Sequence, residues 1–396
     1  MKKLLFILSV LVIGSNCQKG DIDSSQPCSY AYPAGNDNHP KAARFNNILI
    51  KYTKQGLPGI SMLIRDHSGT WIGAAGKADI EQNIPFQPCT VAKVASITKM
   101  FTGTLAHLLV EQNVFKLDDK VDSWLDEELL KKVKNCRGAT IRQLMQHTTG
   151  IYDVITGTEF YLALLNNPDK KWTAEELIKL VYGKEPKFAL GTSCFYSNTN
   201  TLLLSMVIQK ASGRKNQDLL REKVLQPLGM NDTYYYSHDE LPPITAQGYF
   251  DLYNNQTLTN VTNFNTGSGH GYGGFFSTVL DLQKFIEPLL RGKTILQAGS
   301  LNEMTKFLPE IDPEDPANDL NLGAGLMKRY FNQALTSDRY GYGHTGRDLG
   351  YSANSFYFPN YDVTCCFIVN YGTNAESELR EVFYDFQDEL TDALFE

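Results

Sequence analysis

Apolar and polar positions change rhythm along the chain, and the changes predict its elements. "GISMLIRD" (59–66) and "TWIGAAGKAD" (70–79) read as two strands, joined by His67-Ser68-Gly69 into a hairpin. From Ile97 onward Phe101, Leu105, Leu108 and Leu109 fall at helical spacing, with no Pro or Gly-Gly to break the run before Asn113. Residues 116–270 are mostly helical patterns between polar loops, with 174–182 and 200–212 as examples. Near the end, "SANSFYFP" (352–359) and "VTCCFIVNYG" (363–372) are strand-like, and 375–395 is an amphipathic helix. Strands at both ends with helices between them predict an α+β chain whose ends meet in one sheet. The expected division is an α/β subdomain of about 41–115 and 271–396, with a mainly helical subdomain of about 116–270 inserted. A cleft between two such subdomains is a usual place for a site.

The first residues read as a leader. Lys2 and Lys3 precede a short apolar run, Leu4 to Ile13, too short to span a bilayer as a mature helix. Small and polar residues follow, and then Cys17. Residues 1–17 are therefore expected to be an export signal, and 18–40, rich in Ser, Pro, Asn, Asp and Gly, a linker. The leader also resembles a bacterial lipoprotein signal, which implies lipidation of Cys17 and a membrane-anchored envelope protein. Gly14-Ser15-Asn16 departs from the usual residues before such a cysteine, and a plain cleaved signal is the alternative.

Composition then excludes classes. A net charge of −7 gives no basic face for nucleic acid. Beyond Cys17 stand Cys28, Cys89, Cys136, Cys194, Cys365 and Cys366. An envelope compartment permits disulfides, and six cysteines allow 15 complete pairings. Cys365 and Cys366 share one apolar strand and are not expected to bridge each other. No Cys or His spacing forms a zinc site, and no cofactor is expected.

Candidate chemistry centres on Ser96-Ile97-Thr98-Lys99. A serine at a helix start is an ordinary N-cap. A lysine in the first turn is less ordinary, because the helix dipole disfavours a cation there. The i, i+3 spacing puts both side chains on one face, and a desolvated lysine can accept the serine proton. The copy at Ser212-Gly213-Arg214-Lys215 reads instead as a helix C-cap. Tyr196-Ser197-Asn198 and His344-Thr345-Gly346 follow in order. Tyr-x-Asn also occurs at Tyr253 and Tyr330, and His147-Thr148-Thr149-Gly150 is a near-copy of the third triplet that reads as a helix end and turn. There is no Gly-x-Ser-x-Gly elbow, since Gly350-Tyr351-Ser352-Ala353-Asn354 lacks the last glycine.

The order Ser-Ile-Thr-Lys, Tyr-Ser-Asn, His-Thr-Gly resembles the three signatures of the serine β-lactamase and penicillin-binding protein superfamily. The likeness is to the group holding class C β-lactamases and D-alanyl-D-alanine carboxypeptidases. "LMQHTTGIYD", "LQPLGMNDTYY", "GGFFSTVLDLQKF" and "GHTGRDLGYS" share it, over about residues 45–372. The resemblance implies a β-lactamase/transpeptidase-like fold with an antiparallel sheet. It also implies Ser96 as acylated nucleophile, Lys99 as its proton acceptor or electrostatic partner, and Tyr196 as general base and acid. Asn198 would bind the substrate amide, and His344, Thr345 and Gly346 would form the strand edge that holds substrate. The N–H groups of Ser96 and Arg347 would form the oxyanion hole. Where typical class C enzymes carry lysine this chain has His344, which favours the carboxypeptidase branch and is expected to make the charge there depend on pH near neutrality.

The expected function is thus an exported serine hydrolase working through an acyl-enzyme on peptides ending in D-amino acids, of the D-alanyl-D-alanine carboxypeptidase kind. A weak β-lactamase, a small-ester hydrolase and a penicillin-recognising sensor that never turns over are the alternatives.

Overall fold

The computed structural model describes residues 25–28, 36–311, 320–331, 338–373 and 377–396. The leader with Cys17 and much of the 18–40 stretch lie outside the described residues. β1 (Gly59–Asp66) and β2 (Gly69–Asp79) form the expected hairpin, extended by the short β3 (Ile84–Pro85). Then come β4 (Ala92–Ala95), β5 (Tyr234–Tyr235), β6 (Tyr249–Phe250), β7 (Thr259–Asn260) and β8 (Phe275–Ser277). The last part of the chain supplies β9 (Leu308–Pro309), β10 (Asn321–Leu322), β11 (Met327–Tyr330), β12 (Tyr340–Asp348), β13 (Tyr351–Phe358) and β14 (Val363–Val369).

The main sheet has nine strands in the order β3-β2-β1-β14-β13-β12-β11-β10-β9, and its pairs are antiparallel. The two ends of the chain meet at its centre, where Ile60 of β1 stands opposite Val369 of β14. β14 is buried along its whole length, so its sequence is a continuous apolar run without alternation. Its successive side chains still face opposite ways: Cys365 packs in one core and Cys366 in the other, which keeps them from bridging.

One face of the sheet carries α1 (Ala42–Lys54) and the C-terminal helix Glu378–Phe395. The Tyr52 hydroxyl bonds Asp385 O (2.9 Å) and Glu389 Oε2 (2.7 Å), tying these helices together. The other face carries α2 (Thr98–Glu111), which is buried nearly all round because it lies between the sheet and the helical region. A second sheet, β4-β8-β5, sits beside it.

The region between the sheet halves is only partly helical. Helices Ala174–Lys179 and Asn198–Ser212 match the apolar spacing, and Gly213 takes the left-handed conformation (φ 68°) expected of a C-cap. From Gln226 to His270 the described chain forms turns and two-residue strands instead. Pro242-Pro243 and the Asn254-Asn255 turn interrupt any helix there, and Ser237, Asn254 and Gln256 adopt positive φ.

Residues 25–28, within the stretch read as a linker, are fastened to the body. The Ser25 N–H donates to Asp79 Oδ2 (2.9 Å), its hydroxyl to Thr245 O (2.6 Å), and Cys28 is disulfide-bonded to Cys89. No described helix is long and apolar enough to cross a membrane.

Cys89 lies just ahead of β4, so this cross-link restrains the strand that leads to Ser96. Its removal by Cys28→Ser with Cys89→Ser frees a 61-residue separation in the unfolded chain. Denaturant unfolding should register a loss of roughly 2–4 kcal/mol. An unchanged midpoint would mean that the 25–28 segment restrains nothing.

Candidate active site

Ser96 sits on a strained elbow. β4 ends at Ala95, whose φ of 48° is unfavourable for a residue with a Cβ. The elbow is held from both sides: Thr98 Oγ1 donates to Ala95 O (2.7 Å) and accepts the Phe275 N–H of β8 (3.0 Å). α2 starts at Thr98 and its cap residue is Ile97, which makes no side-chain cap bond. The Ser96 hydroxyl is therefore not occupied as an N-cap. It receives Lys99 Nζ at 3.1 Å and shares a hydrogen bond with the Tyr196 hydroxyl.

Lys99 is buried, with 1% of its surface exposed. Its ammonium also donates to Asn198 Oδ1 (2.7 Å) and Tyr272 O (2.5 Å), and it lies 4.8 Å from the centre of the Tyr196 ring. Burial drives its pKa down to about 7, against the pull of the Asp153 and Asp348 carboxylates. Near neutrality a large fraction of Lys99 is thus free amine, able to take a proton from Ser96. Tyr196 is shifted the other way: burial, with Asp153 and Glu310, raises its phenol well above the usual value, so it stays protonated.

The second triplet opens the Asn198–Ser212 helix. Asn198 is occupied on both sides of its amide, accepting from Lys99 and donating from Nδ2 to Asp153 Oδ2 (2.9 Å). It links the lysine to a carboxylate. The Tyr196 N–H donates to Glu310 Oε1 (2.7 Å), which fixes the approach of this segment. His147, read from the sequence as a turn, does occupy one, with φ 56°. It also belongs to the site: its ring stacks on Tyr196 at 4.7 Å, and its Nδ1 accepts the Ser197 N–H (3.1 Å). No motif in the sequence assigns a catalytic role to Asp153 or His147. Both lie in "LMQHTTGIYD", so the signal was in the chain without a stated role.

β12 brings in the third triplet. β11 covers only Tyr340–Gly343, while 344–348 pairs with β13 alone, leaving its other edge without a strand among the described residues. Gly346 lets this edge approach the elbow: a Cβ there would overlap the Val94 carbonyl. Side chains alternate across the strand. His344, 2% exposed, is turned toward Tyr196, with the ring centres 6.1 Å apart. Thr345 donates to Met327 Sδ (3.6 Å). The Arg347 guanidinium points to the opposite face, donating to Gly346 O (2.9 Å) and Ala353 O (3.3 Å) and lying over the Phe383 ring.

The expected pH switch at His344 is corrected by its surroundings. Burial first, then the charge of Lys99, push its pKa down to about 3, so the ring is neutral throughout the neutral range. Its Nδ1–H donates to Thr345 O (2.6 Å), which leaves Nε2 as an acceptor.

A pocket opens from Ser96 and Asn198 between β12 and the helix Thr158–Asn166, with Tyr272, Gly273, Asp348 and Leu349 among its lining. These groups together supply a hydroxyl, a buried amine, a phenol and a free strand edge within one cleft. That set can carry out acyl transfer without a metal ligand being needed for the proton steps.

Comparison with known proteins agrees with this arrangement. Residues 45–387 match the family model described as Beta-lactamase. The chain is 25% identical to Penicillin-binding protein 4* of Bacillus subtilis over 316 residues, 76% of this chain and 66% of that protein. It is 25% identical to the D-alanyl-D-alanine-carboxypeptidase/endopeptidase AmpH of Escherichia coli, covering 64% of this chain and 63% of that one. In both cases the match spans less than two thirds of the relative's own length. Among solved structures, D-amino acid amidase from Ochrobactrum anthropi superposes with a TM-score of 0.76 at 25% identity, covering 88% of this chain and 96% of that one. The D-stereospecific amidohydrolase from Streptomyces gives 0.71 at 28% identity, over 84% and 95%.

The close approach at Gly346 yields a test of the geometry itself. Gly346→Ala must push β12 away from Val94, and thermal unfolding should show a loss of about 1–3 kcal/mol. A variant as stable as the parent would mean that the strand does not press on the elbow.

Proposed function

Because this chain belongs to the beta-lactamase family, with its β-lactamase/transpeptidase-like fold, we propose that it is a serine hydrolase that works through an acyl-enzyme on Ser96. The observation that carries the reading is the buried Lys99 amine, 3.1 Å from the Ser96 hydroxyl and depressed to about 7. The neutral amine takes the Ser96 proton as Oγ attacks the substrate carbonyl. The oxyanion forms beside the N–H groups of Ser96 and Arg347, at the end of β4 and on the free edge of β12. Tyr196, kept as a phenol, passes its proton to the leaving nitrogen or oxygen and recovers one from the Lys99 ammonium. Water then attacks the ester on Ser96 and releases the acid. Asn198, His344, Thr345 and Gly346 hold the substrate. Asn198 does so while also bridging Lys99 to Asp153, so its contribution is chiefly to keep the amine in place.

The proposed substrates are peptides ending in D-amino acids, as in cell-wall peptides, cleaved in the manner of a D-alanyl-D-alanine carboxypeptidase. A second reading, hydrolysis of D-amino acid amides, is favoured by the superposition on D-amino acid amidase. The neutral His344, where a lysine would add charge, weighs against a robust β-lactamase. The leader and Cys17 support export and lipid anchoring at the envelope.

Two outcomes are expected. A mechanism-based serine probe should add its mass to the parent and to Ser212→Ala, and not to Ser96→Ala; an adduct surviving on Ser96→Ala overturns the nucleophile. With an uncharged ester, kcat/KM should climb as pH rises through about 7 and then level, because only the free amine of Lys99 is active. Asp153→Asn removes a carboxylate that raises the Lys99 pKa, so this limb should move to lower pH. A limb that stays in place or moves up would show that Lys99 does not set it.

A further inference from the structure

His147-Thr148-Thr149-Gly150 takes no part in the proton steps at Ser96, yet it holds a residue that does. Tyr196 lies in an irregular stretch: neither helix nor strand runs through 193–197, and the next helix starts at Asn198. Regular structure therefore does not fix the phenol. Three consecutive backbone N–H groups do. That of Phe195 donates to His147 O (3.0 Å), that of Tyr196 to Glu310 Oε1 (2.7 Å), and that of Ser197 to His147 Nδ1 (3.1 Å). His147 thus holds the chain on both sides of Tyr196. Its ring also packs along the phenol, 4.7 Å centre to centre and 22° from parallel. Ser197, the cap residue of the following helix, makes no side-chain cap bond that could replace this hold.

The imidazole is itself held in place. Asn200 Nδ2 stands 3.3 Å from its Nδ1, and Asn200 Oδ1 accepts Thr149 Oγ1 (2.5 Å). Two donors meet Nδ1, so the ring hydrogen sits on Nε2. The ring is buried, and burial with the charge of Lys99 pushes its pKa down to about 3. The lone pair that the Ser197 N–H needs is therefore present throughout the neutral range. The φ of 56° at His147 is disfavoured for a residue with a Cβ, and these contacts on both sides keep it there.

We propose that His147 is a positioning residue for proton transfer to the leaving group, acting through Tyr196. This rests on the reading of Tyr196 as the proton donor in acyl transfer. A displaced phenol matters little when the departing group leaves as a stable anion, and most when that group must be protonated as it leaves.

Esters of N-acetyl-D-alanine with p-nitrophenol, phenol and ethanol share one acyl group and depart with rising need of a proton. The test reads the kcat/KM ratio of the ethyl to the p-nitrophenyl ester in the parent, Tyr196→Phe, His147→Phe and His147→Asn. Tyr196→Phe should lower it at least about a hundredfold. His147→Phe keeps a ring but no acceptor, and should lower it at least about tenfold, with the phenyl ester in between. His147→Asn keeps an acceptor at Oδ1 and suits a positive φ, so it should fold even where the phenylalanine variant does not. Its ratio should fall at least about threefold, and less than in His147→Phe. Thermal unfolding identifies the folded variants. A merely structural role would lower all three esters alike. A ratio unmoved in a folded His147 variant, with that of Tyr196→Phe shifted, overturns the positioning role and leaves the Tyr196 reading standing. A ratio unmoved in Tyr196→Phe overturns the proton-donor reading, and the positioning role with it.

Discussion

The site depends on keeping one ammonium out of water. Lys99 stands on the first turn of α2, where the helix dipole already opposes a cation, and is then enclosed by Tyr196, Asn198 and Tyr272. Burial without partners would expel the charge entirely. Burial with three acceptors, and with Asp153 and Asp348 at longer range, stops the shift near neutrality. The folded protein carries the cost. Between about pH 7 and the usual lysine range the folded state binds fewer protons than the unfolded one, so stability should rise with pH through that interval.

Much of the remaining architecture follows from holding this lysine and its serine in register. The strained Ala95 elbow aims Ser96, and Thr98 bonds that elbow to β8. Gly346 allows β12 to press against it, and the pairing of β12 with β11 ends at Gly343, so among the described residues no strand covers the edge beside Ser96. The central strands of the sheet come from the two ends of the chain, and α1 and the C-terminal helix are hydrogen-bonded to each other across it.

The parts of this design that were legible in the sequence are those fixed by local spacing. The β1-β2 hairpin, the run after Ile97 and the buried β14 were readable because period and burial agree there. Ser96 and Lys99 were readable because i, i+3 is a statement about one helix. The Gln226–His270 region was not: read as part of a mostly helical stretch, it is shaped instead by prolines, asparagine turns and long-range hydrogen bonds. Charge was the other illegible quantity. His344 looked like a switch at neutrality, but its pKa of about 3 comes from burial and from Lys99, which lies far away in sequence. The Asp153–Asn198–Lys99 chain and the stacking of His147 on Tyr196 likewise join segments that sequence order keeps apart.

The central claim is that Lys99 is substantially an amine at neutral pH. Nitrogen NMR of lysine side chains, with Lys99→Arg to assign the signal, measures this without any substrate. Lys99 should titrate near 7, far below surface lysines at about 10.4. A Lys99 signal that remains that of an ammonium up to pH 10 would contradict the account.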